Sequence, residues 1–99
     1  MISCKIHHSY RTVAAFCDSG LVGKKFEERK KQLDLRENFY KEKEIEYNEA
    51  LNIMKKQARE DATFNIVGKE SIKAALEVGL ISKENIGYIK KIPFALVLL

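Results

Sequence analysis

Asp61 to Ile81, DATFNIVGKESIKAALEVGLI, is the stretch whose reading decides the fold. Ile72, Ala75, Leu76 and Leu80 recur at spacings of three and four, which places them on one face of a helix. Lys69, Lys73 and Glu77 fall on the opposite, solvated face. Lys73 and Glu77 stand four apart, a pairing worth only about 0.2–0.5 kcal/mol. Gly79 sits where a left-handed residue ends a helix, and Leu80 can fold back onto the last turn. Gly68 lies just before the helix and lets the backbone turn sharply. These signals predict a helix over Lys69–Val78. Much of the remaining apolar sequence reads as strands for it to cover.

The turn before this helix, Asn65 to Ser71, aims free backbone N–H groups outward with Lys69 beside them, and such a helix start can hold a phosphate. Glu70 opposes that, because a carboxylate in the first turn already satisfies the helix dipole. An ordinary helix start with a glycine hinge is the simpler account. The same run resembles the GxxG loop of KH RNA-binding modules, with Ser71 at the second glycine and Ala74 at the usual large aliphatic position.

Ninety-nine residues make one domain, 1–99, with a single modest core. The chain is 45% hydrophobic and 32% charged, an ordinary globular composition. Net charge is +4, and lysine doublets recur at Lys24-Lys25, Lys30-Lys31, Lys55-Lys56 and Lys90-Lys91. Sharing a face, they attract nucleic acid through phosphate contacts and counterion release; scattered, they only solubilise. No apolar run is long enough for a transmembrane helix, and the N-terminus does not read as a signal peptide. Two cysteines without an export signal read as reduced thiols of a cytoplasmic protein.

In chain order, Ile2, Cys4 and Ile6 alternate with polar residues as a half-buried strand. A tight turn at Ser9-Tyr10 leads to a second strand, Thr12–Cys17. That loop pairs Ile6 with Val13, Cys4 with Ala15 and Ile2 with Cys17, all on one face, and leaves Phe16 on the other. Asp18-Ser-Gly20 is turn chemistry. Leu21–Val22 reads as a short extended piece, followed by a turn at Gly23 and a solvated loop to Gln32. Leu33–Glu37 reads as a third strand, and Lys41–Glu44 as an exposed link. A second helix, Ile45 to Arg59, has the stripe Tyr47, Leu51, Met54 and Ala58, and basic residues in its last turns, where the helix dipole favours them. Ser82–Asn85 is a capped turn. Ile86–Ile89 and Phe94–Leu99 read as strand, with Pro93 at a strand start or edge. The apolar tail reads as a central strand buried on both faces. The fold class is therefore α/β in the α+β sense: a mixed sheet of about four strands, an N-terminal β-hairpin, two main helices and a buried C-terminal strand.

Several short motifs, in order, carry a family resemblance: Ala15-Phe-Cys-Asp18, Leu21-Val-Gly-Lys24, Phe39-Tyr40, Glu49-Ala50-Leu51, Asn65-Ile-Val-Gly68, Glu77-Val-Gly-Leu80 and Ile92-Pro93. Over nearly its whole length the chain resembles the archaeal proteins grouped as domain of unknown function 424. The resemblance implies a small, single-domain, cytosolic archaeal protein and no assigned activity. The family's glycine pair after Phe-Tyr is replaced by Lys41-Glu42, and the histidine of its Gly-Val-Pro-His-Ala stretch by Phe94.

Cys4, His7, His8 and Cys17 are zinc-type ligands near one hairpin. The strand pattern turns the cysteines towards the core and His7 away from it, so buried free thiols are expected and no metal. A disulfide is disfavoured by their diagonal placement. Gly20-Leu-Val-Gly-Lys24 lacks the spacing and the hydroxyl of a P-loop. Asp18 serves its turn. Neither a catalytic residue nor a cofactor is expected. What remains is an RNA-associated or ribonucleoprotein component, an accessory of translation. Its expected contacts are Lys24, Lys25, Lys55, Lys56, Gly68 and Lys69 on one basic face, with Tyr10, Tyr40 or Tyr88 stacking on exposed bases. The alternative is a protein-interaction module that binds a partner or forms a homodimer through an edge strand or apolar patch.

Overall fold

Alternating apolar residues build the first two strands, β1 (Ile2–His7) and β2 (Val13–Asp18). The computed structural model describes residues 1–98. It continues with β3 (Lys25–Glu28), β4 (Lys31–Asp34), the one-turn helix α1 (Glu37–Tyr40), β5 (Lys43–Ile45) and helix α2 (Tyr47–Arg59). β6 (Thr63–Val67), helix α3 (Lys69–Glu77), β7 (Gly87–Ile89) and β8 (Ile92–Val97) follow. The architecture is a single-domain α+β fold: a mixed six-stranded sheet in the order β5-β1-β2-β6-β8-β7, with β3 and β4 as a separate hairpin. β2 and β6 are parallel and the other pairs antiparallel.

The sheet is covered on both faces. Against one face, α2 and α3 pack through Ala50, Met54, Ile72 and Ala75 onto Ile2, Phe16, Phe64 and Ile66. On the other, Leu35, Tyr40 and the hairpin residues Phe26 and Leu33 cover Ala15, Cys17 and Val67. β6 sits between the two layers and is buried or nearly so throughout, which suits its β-branched and aromatic composition. α3 ends as its sequence predicts. Gly79 has φ +75°, Leu80 N–H donates to Ala75 O and Gly79 N–H to Leu76 O, the paired bonds of a Schellman motif. Ser82 and Asn85 form a reciprocal capping box.

Several expectations are corrected. The sheet has six strands rather than about four: β5 is a three-residue edge strand, too short to show a period, where an exposed link and a helix start are expected, whereas β7 lies within the expected strand Ile86–Ile89. Thr63–Val67, of which Asn65–Val67 reads locally as part of a turn, is an interior strand. Leu33–Glu37 does not join the sheet; Leu33 and Asp34 end the separate hairpin, Leu35 packs on the sheet and Glu37 opens α1. The loop at Gly23 to Gln32 contains that hairpin's first strand.

The N-terminal register is shifted by one residue: Ile6 pairs with Ala14, Cys4 with Phe16 and Ile2 with Asp18. The loop is longer than two residues. Phe16 therefore lies under the helices, and Cys4 and Cys17 face opposite sides of the sheet, because a one-residue slip inverts a strand's faces. The C-terminal strand is second from the edge and not buried on both sides; Leu96 is exposed, and Leu99 lies outside the described residues. Among the described residues, no helix is long and apolar enough to cross a membrane.

Candidate nucleic-acid interface

The parallel pairing of β2 with β6 aligns Cys17 with Val67, so the next residues, Asp18 and Gly68, meet at the start of α3. Glu70 N–H donates to Asp18 Oδ2 at 3.0 Å, and Ser71 N–H and Oγ–H both donate to Oδ1 at 2.8 Å. Gly68 has φ +107°, and a Cβ there would lie 2.2 Å from Asp18 Cγ. The glycine is required twice, by the backbone angle and by the carboxylate against it. The turn expected to present free N–H groups is thus closed by the protein's own anion. The KH-like reading fails at the same point, since the donors that a phosphate would use are taken.

The expected lysines do not share one face. Lys24 and Lys25 lie at the β3–β4 hairpin, on the side of the sheet opposite the long helices. Lys55 and Lys56 belong to the last turns of α2, which lead directly into the start of β6. Gly68 and Lys69 stand at the other end of β6, roughly 16 Å away for a strand of this length. Tyr40 is buried and unavailable for stacking, whereas Tyr10 and Tyr88 are exposed.

A different set converges. Along the flank of α3, a shallow groove of about 480 Å³ runs to β7 and the start of β8. Lys69 and Lys73 of α3, Lys83 of the capped turn and Lys91 of the β7–β8 turn line it. Its floor is Ile72, Leu76, Ile86 and Pro93, and Tyr88 stands in its wall with 56% of its surface exposed. Among the described residues no carboxylate lines it, and the acids around it have partners: Glu84 accepts from Ser82 Oγ at 2.9 Å, and Glu28 accepts from the Lys90 N–H at 3.1 Å. Glu70 meets the N-terminal amine at 3.4 Å, and Glu77 accepts from Tyr47 Oη at 2.7 Å rather than pairing with Lys73. Lys73 Nζ lies 5.5 Å from the Tyr47 ring, a cation–π contact that leaves its charge intact.

Lys90 and Lys91 form the two-residue turn between β7 and β8 and have φ +52° and +66°. Such a turn favours Asn-Gly; two side-chain-bearing residues there cost of order 1–2 kcal/mol each. Two adjacent lysines are thus held in an unfavourable conformation at the groove's rim. Sequence signals for this cluster were limited to the Lys90-Lys91 doublet between two apolar runs and to Tyr88 as an aromatic near it. Nothing local joins these to Lys69 or Lys83.

The hairpin residues do not build a second centre. His7 Nε2 lies 2.8 Å from Phe39 O and its ring stacks on Phe39. Cys4 and Cys17 are buried free thiols, and burial pushes both from 9.0 to about 12. No cluster of three or more metal-ligating side chains is found among the described residues.

A family model described as a protein of unknown function, DUF424, matches residues 6–99. The chain is also similar to a solved structure, the crystal structure of an uncharacterized conserved protein from Methanopyrus kandleri, with a TM-score of 0.87 and 22% sequence identity, over 97% of this chain and 89% of that one. That likeness is one of fold. No curated protein matches.

Proposed function

The chain belongs to the DUF424 family, whose description assigns no activity, and we propose from its own surface that it is a non-enzymatic protein that associates with RNA. One observation carries this reading: four lysines surround a single groove whose lining, among the described residues, holds no carboxylate. Net charge alone is a weak argument, since 18 basic side chains are set against 14 acidic ones. Local segregation of sign is the stronger one, because phosphate contacts and counterion release depend on where the charges stand. Lys24, Lys25, Lys55 and Lys56 add to the long-range field from other faces and contribute less.

The test is a fluorescence titration against mixed structured RNA at two salt concentrations. Reversal of Lys69 and Lys91 to Glu is expected to weaken binding across sequences and to lower the salt slope by about one for each lysine–phosphate pairing removed. Reversal of Lys55 and Lys56 is expected to do less. Salt-insensitive or absent binding by the unmodified protein overturns the reading. The second reading, a self-association or protein-docking module, is favoured by one feature, Leu96 and Leu98 exposed at 56% and 71% on β8 and just beyond it. Concentration-dependent dimerisation that Leu96→Lys abolishes, together with no RNA binding, would put that reading in its place.

A further inference from the structure

We infer that the groove between α3 and β7 takes single-stranded RNA, with one unpaired base stacked on Tyr88 and the flanking phosphates held by Lys69, Lys83 and Lys91. This rests on the RNA reading above and narrows it to a substrate class. The size of the groove comes first. At about 480 Å³ the groove has room for a nucleotide or two along its length. Its chemistry comes second. Bases of a duplex are stacked on one another and present no free face to an aromatic ring, whereas an unpaired base does. Tyr88 meets that need: it projects from an edge strand, more than half of it is exposed, and the lysines lie around it.

The polar partners are also free. Among the described residues, Lys69, Lys83 and Lys91 have no side-chain hydrogen bond or ion pair, so no internal bond must break when a phosphate arrives. Lys90 N–H donates to Glu28 Oε1 at 3.1 Å, which ties the turn carrying Lys91 to the β3–β4 hairpin and fixes the groove's rim. An aromatic platform flanked by cations is the arrangement by which single strands are held without base-specific readout. Binding is therefore expected to tolerate changes of sequence and to depend on salt.

The experiment compares a short labelled oligouridylate with a blunt RNA duplex of equal length. Each is titrated with the unmodified protein and with Tyr88→Leu, Tyr88→Phe and Tyr10→Leu. Tyr10, fully exposed but in the β1–β2 loop and outside the groove's lining, takes no part in the inferred site and serves as the control. Preference for the single strand, a loss of roughly tenfold in Tyr88→Leu, retention in Tyr88→Phe and no change in Tyr10→Leu are the expected results. Equal binding of duplex and single strand, or an unchanged Tyr88→Leu, overturns the single-strand inference, while the RNA reading survives if binding remains salt-sensitive. No salt-sensitive binding to either probe removes both.

Discussion

The start of α3 and its flank make opposite use of the same helix. At the start, the backbone donors of Glu70 and Ser71 and the Ser71 hydroxyl converge on one carboxylate, Asp18, supplied by a strand more than fifty residues earlier in the chain. Along the flank, Lys69, Lys73, Lys83 and Lys91 line an open groove with no carboxylate among its described lining residues. The first region looks like an anion site in the sequence and is already filled; the second has no motif and is open. The lesson concerns where free valence remains. A helix dipole attracts whichever anion is tethered nearest, and an internal aspartate has no translational entropy to lose. Flanking lysines at the surface stay open to a ligand because their neighbouring acids have other partners: Glu70 the N-terminal amine, Glu77 the Tyr47 hydroxyl, Glu84 the Ser82 hydroxyl and Glu28 the Lys90 N–H.

The largest effect should come from breaking the closed end. Gly68→Ala is expected to destabilise by about 3 kcal/mol, from a Cβ against Asp18 and a backbone angle that L-residues avoid. Asp18→Ala should lose about 2–3 kcal/mol with its charge-assisted bonds. Because the two residues touch, the Gly68→Ala/Asp18→Ala double variant should cost less than the sum, as read from urea unfolding midpoints. RNA affinity per folded molecule should be unchanged in Asp18→Ala. A gain there would mean that the helix start, rather than the groove, is the anion site.

A smaller effect, of opposite sign on stability and binding, separates the open region. Replacing Lys90-Lys91 by Asn-Gly should stabilise the protein by about 1–2 kcal/mol, since Asn and Gly accept the left-handed turn. The same replacement should weaken RNA binding by removing Lys91 from the rim. A variant both more stable and equally able to bind would show that the two lysines are incidental to the groove.

The smallest effect at neutral pH concerns Cys4 and Cys17, which lie on the two faces of the sheet, Cys17 directly before Asp18. Burial holds both thiols neutral, their pKa values raised from 9.0 to about 12. Below pH 9 both folded and unfolded thiols are protonated and stability is unaffected. Between pH 9 and about 12 only the unfolded chain releases these protons, so stability should fall as pH rises through that window. Unfolding midpoints across the window measure this, and the pH slope should shrink in Cys17→Ala. A thiol reagent should modify neither residue until denaturant is added; prompt native-state labelling of either would contradict its burial.

Local signals determined much of the chain. The 3.6-residue period of α3, its Gly79 stop, the second helix, the capped turn at Ser82–Asn85 and the family resemblance were all legible, because each depends on neighbours a few residues apart. Tertiary structure decided the rest. β6 was hidden because a strand buried on both faces shows no alternation, and β5 because three residues carry no period, while β7 was legible as Ile86–Ile89. The N-terminal register turned on a loop one residue off, which reversed the faces of Phe16 and Cys17. The pairing of Asp18 with Gly68 and the gathering of Lys69, Lys83 and Lys91 join residues far apart in sequence through strand order. No spacing along the chain encodes such contacts. They exist only once the parallel β2–β6 pairing and the β7–β8 edge are formed.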